Sequence, residues 1–252
     1  MRSQTINRRK AFQTPSGWDF SAWGSDLFCL YDPDKNAGSY ISPISQMTDF
    51  GPGGRSLNRF NFSGVWLIGS SFNGQKLFNF DPGSVWDSIT YTGDNIMWCT
   101  LMQAHPSGNG RLISMSNAVQ IDYSAWPTWI PIYTLGSGAI STYRAGSYLS
   151  QALDADSWHI VVAVGGPGHI ELWIDGAQVS GYRELGASAF NMDHLEIGSG
   201  VSSYFKGQSG LITAYTGAPS ALQRQKAEGR IAHRYGFQGN LASDHPYKST
   251  PP

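Results

Sequence analysis

Two carboxylates four residues apart, Glu171 and Asp175 in ELWIDG, are the best local arrangement for acid–base chemistry in this chain. Residues i and i+4 of a strand share a face, and cleavage of a glycosidic bond uses two carboxyl groups held at a fixed separation. Asp175 precedes Gly176, however, so a turn already explains it. A serine nucleophile is less well served, because Gly207-Gln208-Ser209-Gly210-Leu211 lacks the second glycine of a nucleophile elbow. His159 follows Trp158 at the start of a strand and reads as a hydrogen-bonded structural residue. The glycine-rich GPGGRS at 51–56 lacks the GK[ST] ending of a phosphate-cradling loop and reads as a flexible loop. Binding of a sugar needs exposed aromatic faces beside polar groups. The stretch 124–131 is the best source, through Trp126 and Trp129, since Pro127 and Pro131 suit an edge or loop better than a central strand. Tyr143, Tyr148 and Tyr204 come second, and most of the nine tryptophans are expected to fill a core.

The elements that must position these residues are mostly strands. The chain has 252 residues, 30 of them glycine, with 13% aromatic and only 14% charged side chains, a profile of short strands joined by tight turns. Its 17 basic and 18 acidic residues give a net charge of -1, which offers no general attraction to nucleic acid or anionic lipid. No apolar run is long enough to cross a membrane as a helix, and MRSQTINRRKAF carries no apolar segment of a secretory signal. The spacing predicts strands over 27–31, 65–70, 95–103, 111–116, 119–123, 128–134, 159–164, 170–174, 194–197 and 210–216. The clearest pair is WHIVVAV and HIELWI around Gly165-Gly166-Pro167-Gly168, with Ile170, Leu172 and Ile174 on one face and Glu171 and Trp173 on the other. Cys29 and Cys99 lie inside apolar runs and read as free, buried thiols. The six histidines are scattered and CxxC is absent, so no zinc site is indicated.

One helix is predicted over 220–235, with Ser220 and Gln223 at capping-box spacing and Gly236 as its stop. Ala227, Ile231 and Tyr235 give it a narrow apolar stripe. The division is therefore a basic arm over 1–20, one β domain over 21–236 ending in this helix, and an extended tail over 237–252.

Three blocks resemble the concanavalin A-like, laminin G-like jelly rolls found in many bacterial and phage-encoded proteins. Trp158-His159-Ile160-Val161-Val162 with Glu171-Leu172-Trp173-Ile174-Asp175-Gly176 is similar to that family's "WHhvav … lylNG" hairpin. Leu195-Glu196-Ile197-Gly198 and Phe205–Ile212 are similar to its "IG … fkGxiaEvi" strands. Ile231–Gly236 with Leu241–Lys248 is similar to the "iegYlAhkwG … LPadHPYk" ending of phage versions. The likeness covers 158–252 and extends more weakly over 27–148. This chain departs from the family in having Leu211 where an acidic residue is frequent, and it lacks the ExDxxE-type cluster of glucanases on this architecture.

The resemblance implies an all-β, concanavalin A-like jelly-roll sandwich of two antiparallel sheets with one C-terminal helix. It further implies a phage virion structural protein without enzymatic activity, a head decoration or fibre component that displays a lectin-like jelly roll on the virion surface and binds host or environmental glycans. The alternative is a carbohydrate-binding adhesin module of a bacterial surface protein, with a polysaccharide hydrolase less favoured. Partners would be capsid or tail proteins and further copies of the chain, with nucleic acid the weaker choice and no membrane. Assembly contacts would come from the arm (Arg2, Arg8, Arg9, Lys10) and the tail (His245, Tyr247). No cofactor is required. Some relatives use Ca2+ on rim loops, for which Asp122, Asp154, Asp156 and Asp193 stand in suitable turns, each equally explained as a turn former.

Overall fold

A computed structural model describes residues 26–35, 46–59, 65–80, 85–87, 91–105, 110–116, 129–135, 138–144, 147–154, 156–179, 183–184, 190–198 and 205–252. In chain order the strands are β1 (Leu27–Tyr31), β2 (Gln46–Met47), β3 (Leu57–Arg59), β4 (Val65–Phe72), β5 (Gln75–Phe80), β6 (Val85–Asp87), β7 (Tyr91–Gly93), β8 (Ile96–Ala104) and β9 (Gly110–Ser116). They continue as β10 (Trp129–Leu135), β11 (Ala139–Arg144), β12 (Ser147–Ala152), β13 (Trp158–Gly166), β14 (His169–Ile174), β15 (Ala177–Gln178), β16 (Arg183–Glu184), β17 (Phe190–Met192), β18 (His194–Ile197) and β19 (Gly207–Thr216). The helix α1 spans Ala221–Tyr235.

These strands form a jelly-roll sandwich of two antiparallel sheets. The first runs β15-β14-β13-β8-β19-β5-β4, with β1 added beside β19 and β16 beside β14; the second runs β12-β11-β10-β9-β18-β6-β3-β2. A small β7–β17 pair stands apart from both. The helix packs on the outer face of the first sheet, over β8 and β13. Three layers follow: helix, first sheet, second sheet.

The strand β8 is therefore covered on both faces. Ile96, Trp98 and Met102 enter the core between the sheets, while Met97, Cys99 and Leu101 lie under the helix. That double burial is why IMWCTLM reads as one apolar run without alternation. Cys29 belongs to the inter-sheet core and Cys99 to the helix side, and both thiols are free and buried as the sequence indicated. Trp98 Nε1 donates to Met115 Sδ at 3.3 Å, joining the two sheets. Arg144 of β11 reaches across to donate to the Gly166 carbonyl of β13. Burial alone pushes its guanidinium down to about 10.

The β13–β14 hairpin forms where expected, with a tighter turn. Gly165 and Gly166 stay in register opposite Ile170 and His169, so Pro167-Gly168 alone makes the turn, and Gly168 takes the positive φ of 76°. Asp175 (φ 53°) and Gly176 (φ 83°) turn β14 into β15, the pair of left-handed residues that a two-residue hairpin favours. On α1, Ser220 Oγ accepts from the Gln223 N–H and the Gln223 side chain accepts from the Ser220 N–H, completing the capping box. Gly236 ends the helix at φ 68°. The loop over 51–56 is pinned, contrary to the flexible loop expected. Asp49 accepts from the N–H groups of Leu30, Gly51 and Arg55 at 2.8, 2.7 and 2.7 Å, and the Arg55 guanidinium stacks 4.1 Å over Phe28.

Candidate functional site

The outer face of the second sheet gathers aromatic and charged side chains. Alternation along its strands sends Ile113, Met115, Ile132, Ile140, Leu149, Leu195 and Ile197 into the inter-sheet core and leaves Tyr133, Tyr143, Tyr148 and Glu196 on the opposite side. A register shift beside Leu112, itself in the core, brings Arg111 onto that side opposite Tyr133. Tyr143 of β11 stands directly opposite Tyr148 of the edge strand β12, and Ser141 stands opposite both Ser150 and Tyr133. Ser141 Oγ donates to Ser150 Oγ at 2.8 Å. Tyr148 is 55% exposed, one of two large apolar side chains so open among the described residues.

The electrostatics tie this face together. Burial raises the Tyr133 phenol, a hydrogen bond with Ser141 opposes the rise, and the neighbouring Tyr148 and Tyr143 add to it. Burial lowers the Arg111 guanidinium, and Glu196 works against that shift. A strip of phenol rings bordered by a guanidinium and a carboxylate offers flat apolar surface together with donors and acceptors, the combination that a sugar ring requires.

Trp129, in contrast, is not on this face. It is fully buried between the sheets, with Nε1 donating to Thr142 Oγ1 at 3.3 Å. Proline had pointed to an edge, yet β10 runs between β9 and β11. Pro131 sits where the register of β10 shifts against both neighbours, and such a bulge tolerates a missing N–H inside a sheet. Trp126, Tyr204, Asp122 and the arm residues Arg2, Arg8, Arg9 and Lys10 lie outside the described residues, as does the strand predicted over 119–123.

The tail lies along the helix α1. His245 is buried, and its Nε2 donates to Glu228 Oε2 at 3.1 Å while its Nδ1 accepts from the Tyr247 N–H. The Tyr247 carbonyl accepts from His233 Nε2 at 2.8 Å, and its side chain lies so close to Gly229 that a Cβ there would approach the Tyr247 Cβ to 2.6 Å. His245 and Tyr247 therefore fasten the tail to the helix of the same chain, and His245 has little surface left for another chain. The fastening continues inward. Arg224 donates through Nη1 to both oxygens of the fully buried Glu228, at 2.8 and 2.7 Å. Its guanidinium also stacks 3.5 Å from the Trp173 ring, and Trp173 Nε1 donates to Glu171 Oε2 at 2.9 Å.

Glu171 and Asp175 do not form an available pair. Asp175 accepts from the Ile160 N–H at 2.8 Å and holds His159 Nδ1 at 2.8 Å, so its carboxylate braces the β13–β14 hairpin. His159 has the structural role read from its position. Among the acids proposed for calcium, Asp154 and Asp156 are exposed. Asp156 occupies a left-handed turn at φ 64°, and Asp193 pairs with its neighbour His194 at 2.5 Å. No group of three or more His, Cys, Asp or Glu gathers among the described residues.

No protein-family model and no curated protein matches the chain. Solved structures do. The ligand-binding domain of botulinum neurotoxin serotype D, in complex with N-acetylneuraminic acid, matches 79% of this chain and 49% of its own length, with TM-score 0.55 and 11% identity. The Trypanosoma rangeli sialidase in complex with the inhibitor DANA matches 78% of this chain and 32% of its own, with TM-score 0.55 and 13% identity. An arabinofuranosidase complexed with arabinofuranosyl-alpha-1,2-xylobiose matches 77% and 51%, with TM-score 0.57 and 14% identity. The chain thus spans about a third to a half of the solved chains it resembles. At these identities the likeness shows the fold, a β-sandwich. It also corrects one expectation. Chains that contain this sandwich include a sialidase and an arabinofuranosidase, so the fold gives no ground for calling the protein non-enzymatic.

Proposed function

We propose that the protein is a carbohydrate-binding β-sandwich whose glycan lies along the outer face of the second sheet. The observation that carries the reading is Tyr148, 55% exposed on an edge strand and directly opposite Tyr143. Two facing aromatic rings, one of them exposed, present ring surface to the CH side of a sugar, while Arg111 and Glu196 further along the face supply partners for hydroxyls. The finer setting rests on the sequence likeness. The sandwich is displayed on a virion or cell surface, and the basic arm of Arg2, Arg8, Arg9 and Lys10 attaches it to its neighbours. Many copies on one surface would raise avidity even where each site is weak.

A glycan array with the full-length protein tests this reading. Binding is expected, and Tyr148→Ala is expected to weaken it about five- to tenfold, the cost of truncating a contact residue worth about 1 kcal/mol or more. Tyr148 is exposed, so the melting temperature should stay within a degree or two of the unaltered protein. Retention of full affinity in Tyr148→Ala would remove this face as the site.

A further inference from the structure

A second feature lies on the other side of the molecule, away from the tyrosine face. A cleft of about 250 Å3 opens between β14 and the β19–α1 connection, with Val164, Ala218 and Pro219 on its apolar wall and Asn95, His169 and Glu171 on its polar wall. Its volume is below the roughly 300–1,000 Å3 of pockets that take drug-sized ligands, so it suits a single ring. The carboxylate in it is preorganised. Trp173 holds Glu171 through Oε2 at 2.9 Å, the Arg224 guanidinium fixes Trp173 from 3.5 Å above the ring, and Glu228 fixes Arg224.

This chain of contacts decides the chemistry of the cleft. Arg224 also lines it, but its charge is matched by Glu228, whose carboxylate has no exposure. Glu171 is the one carboxylate lining the cleft, and among the described residues it forms no ion pair. One face of Trp173 is taken by Arg224, so the indole positions Glu171 and is not a stacking platform. We propose that the cleft binds a protonated primary amine carried on a ring-sized body, of the hexosamine class, with the ammonium hydrogen-bonded to Glu171 and the ring against Val164 and Pro219. A charge-assisted bond of this kind is about twice as strong as a neutral one and is weakened when the amine is acylated.

The test titrates the full chain with glucosamine, glucose and N-acetylglucosamine at fixed ionic strength. The readout is the Trp173 indole N–H resonance, assigned through Trp173→Phe. Glucosamine is expected to move it saturably, with the two neutral sugars at least about tenfold weaker, the weight of one charged hydrogen bond. Glu171→Gln should remove the preference, and Tyr148→Ala should leave it intact, which separates this site from the glycan face. Equal affinity for all three sugars, no saturable shift, or an undiminished preference in Glu171→Gln would each overturn the proposal. The three-sugar comparison on the unaltered chain decides the matter even where Glu171→Gln does not fold.

Discussion

Glu228 has no exposed surface and carries three contacts, two from Arg224 and one from His245. A buried carboxylate costs several kcal/mol to desolvate and is retained only where its partners offset that cost. Removing one side of such a pair leaves the other charge stranded. Glu228→Ala is expected to destabilise the protein by about 3–5 kcal/mol in urea unfolding, and the same change combined with Arg224→Met should recover part of the loss. The sequence held a hint of this pair, since Arg224 and Glu228 stand four apart on a helix. The pattern usually denotes a solvated surface pair. Packing of the helix on the first sheet and the return of the tail over it make it a buried one, and nothing local in the sequence announces either.

At the scale of elements, α1 is keyed to an irregularity in β19. The register of β19 against β8 shifts between Ser209 and Ile212, and the Leu211 N–H there donates to Tyr235 Oη of the helix at 2.8 Å. Burial raises the Tyr235 phenol, which keeps it protonated. Tyr235→Phe would leave that backbone N–H buried without a partner, and is expected to cost about 1–3 kcal/mol of stability by thermal or urea unfolding without altering the far-UV spectrum. The helix itself was legible, because its capping box and terminal glycine are local signals. So was the β13–β14 hairpin, where alternation and turn residues agree. The strands β11 and β12 were missed. SYLSQA is a polar edge strand, exposed over most of its length, and carries little of the β-branched, apolar alternation on which strand reading depends. Tyr143 was named from the sequence as a possible platform, but its facing Tyr148 becomes meaningful only once β11 and β12 are paired. Trp129 was misread for the converse reason, since a bulge that accommodates Pro131 is a property of two neighbouring strands.

For the whole molecule, burial of thiols and phenols sets an alkaline limit. Burial raises Cys29 and Cys99 well above the ordinary 9.0, with Asp49 adding to the first and Glu228 to the second. The native state therefore keeps protons that the unfolded chain releases near pH 9, and stability must fall as pH rises beyond that value. Between pH 9 and 10 each thiol is expected to cost about 1 kcal/mol of stability, and the buried phenols begin to add to the loss. Tyr31, Tyr91, Tyr133, Tyr215 and Tyr235, all raised by burial, join as pH approaches their ordinary 10. Arg144, lowered to about 10, works in the opposite direction above that point. Urea midpoints at pH 7, 9 and 10 check this, with a shallow decline to pH 9 followed by a steeper one.

The placement of β19 has a consequence for how the chain comes to be made. This strand completes the middle of the first sheet, with β8 on one side and β5 and β1 on the other. The earliest described strand thus waits for a partner more than 180 residues later in the chain, Leu27 against Tyr215. Closing so long a loop is slow, because its entropy is lost before the contacts that reward it can form. On the ribosome, β1, β5 and β8 emerge with no strand between them and stay exposed to aggregation until β19 itself appears. Slower synthesis between β8 and β19 is therefore expected to lower the yield of native protein.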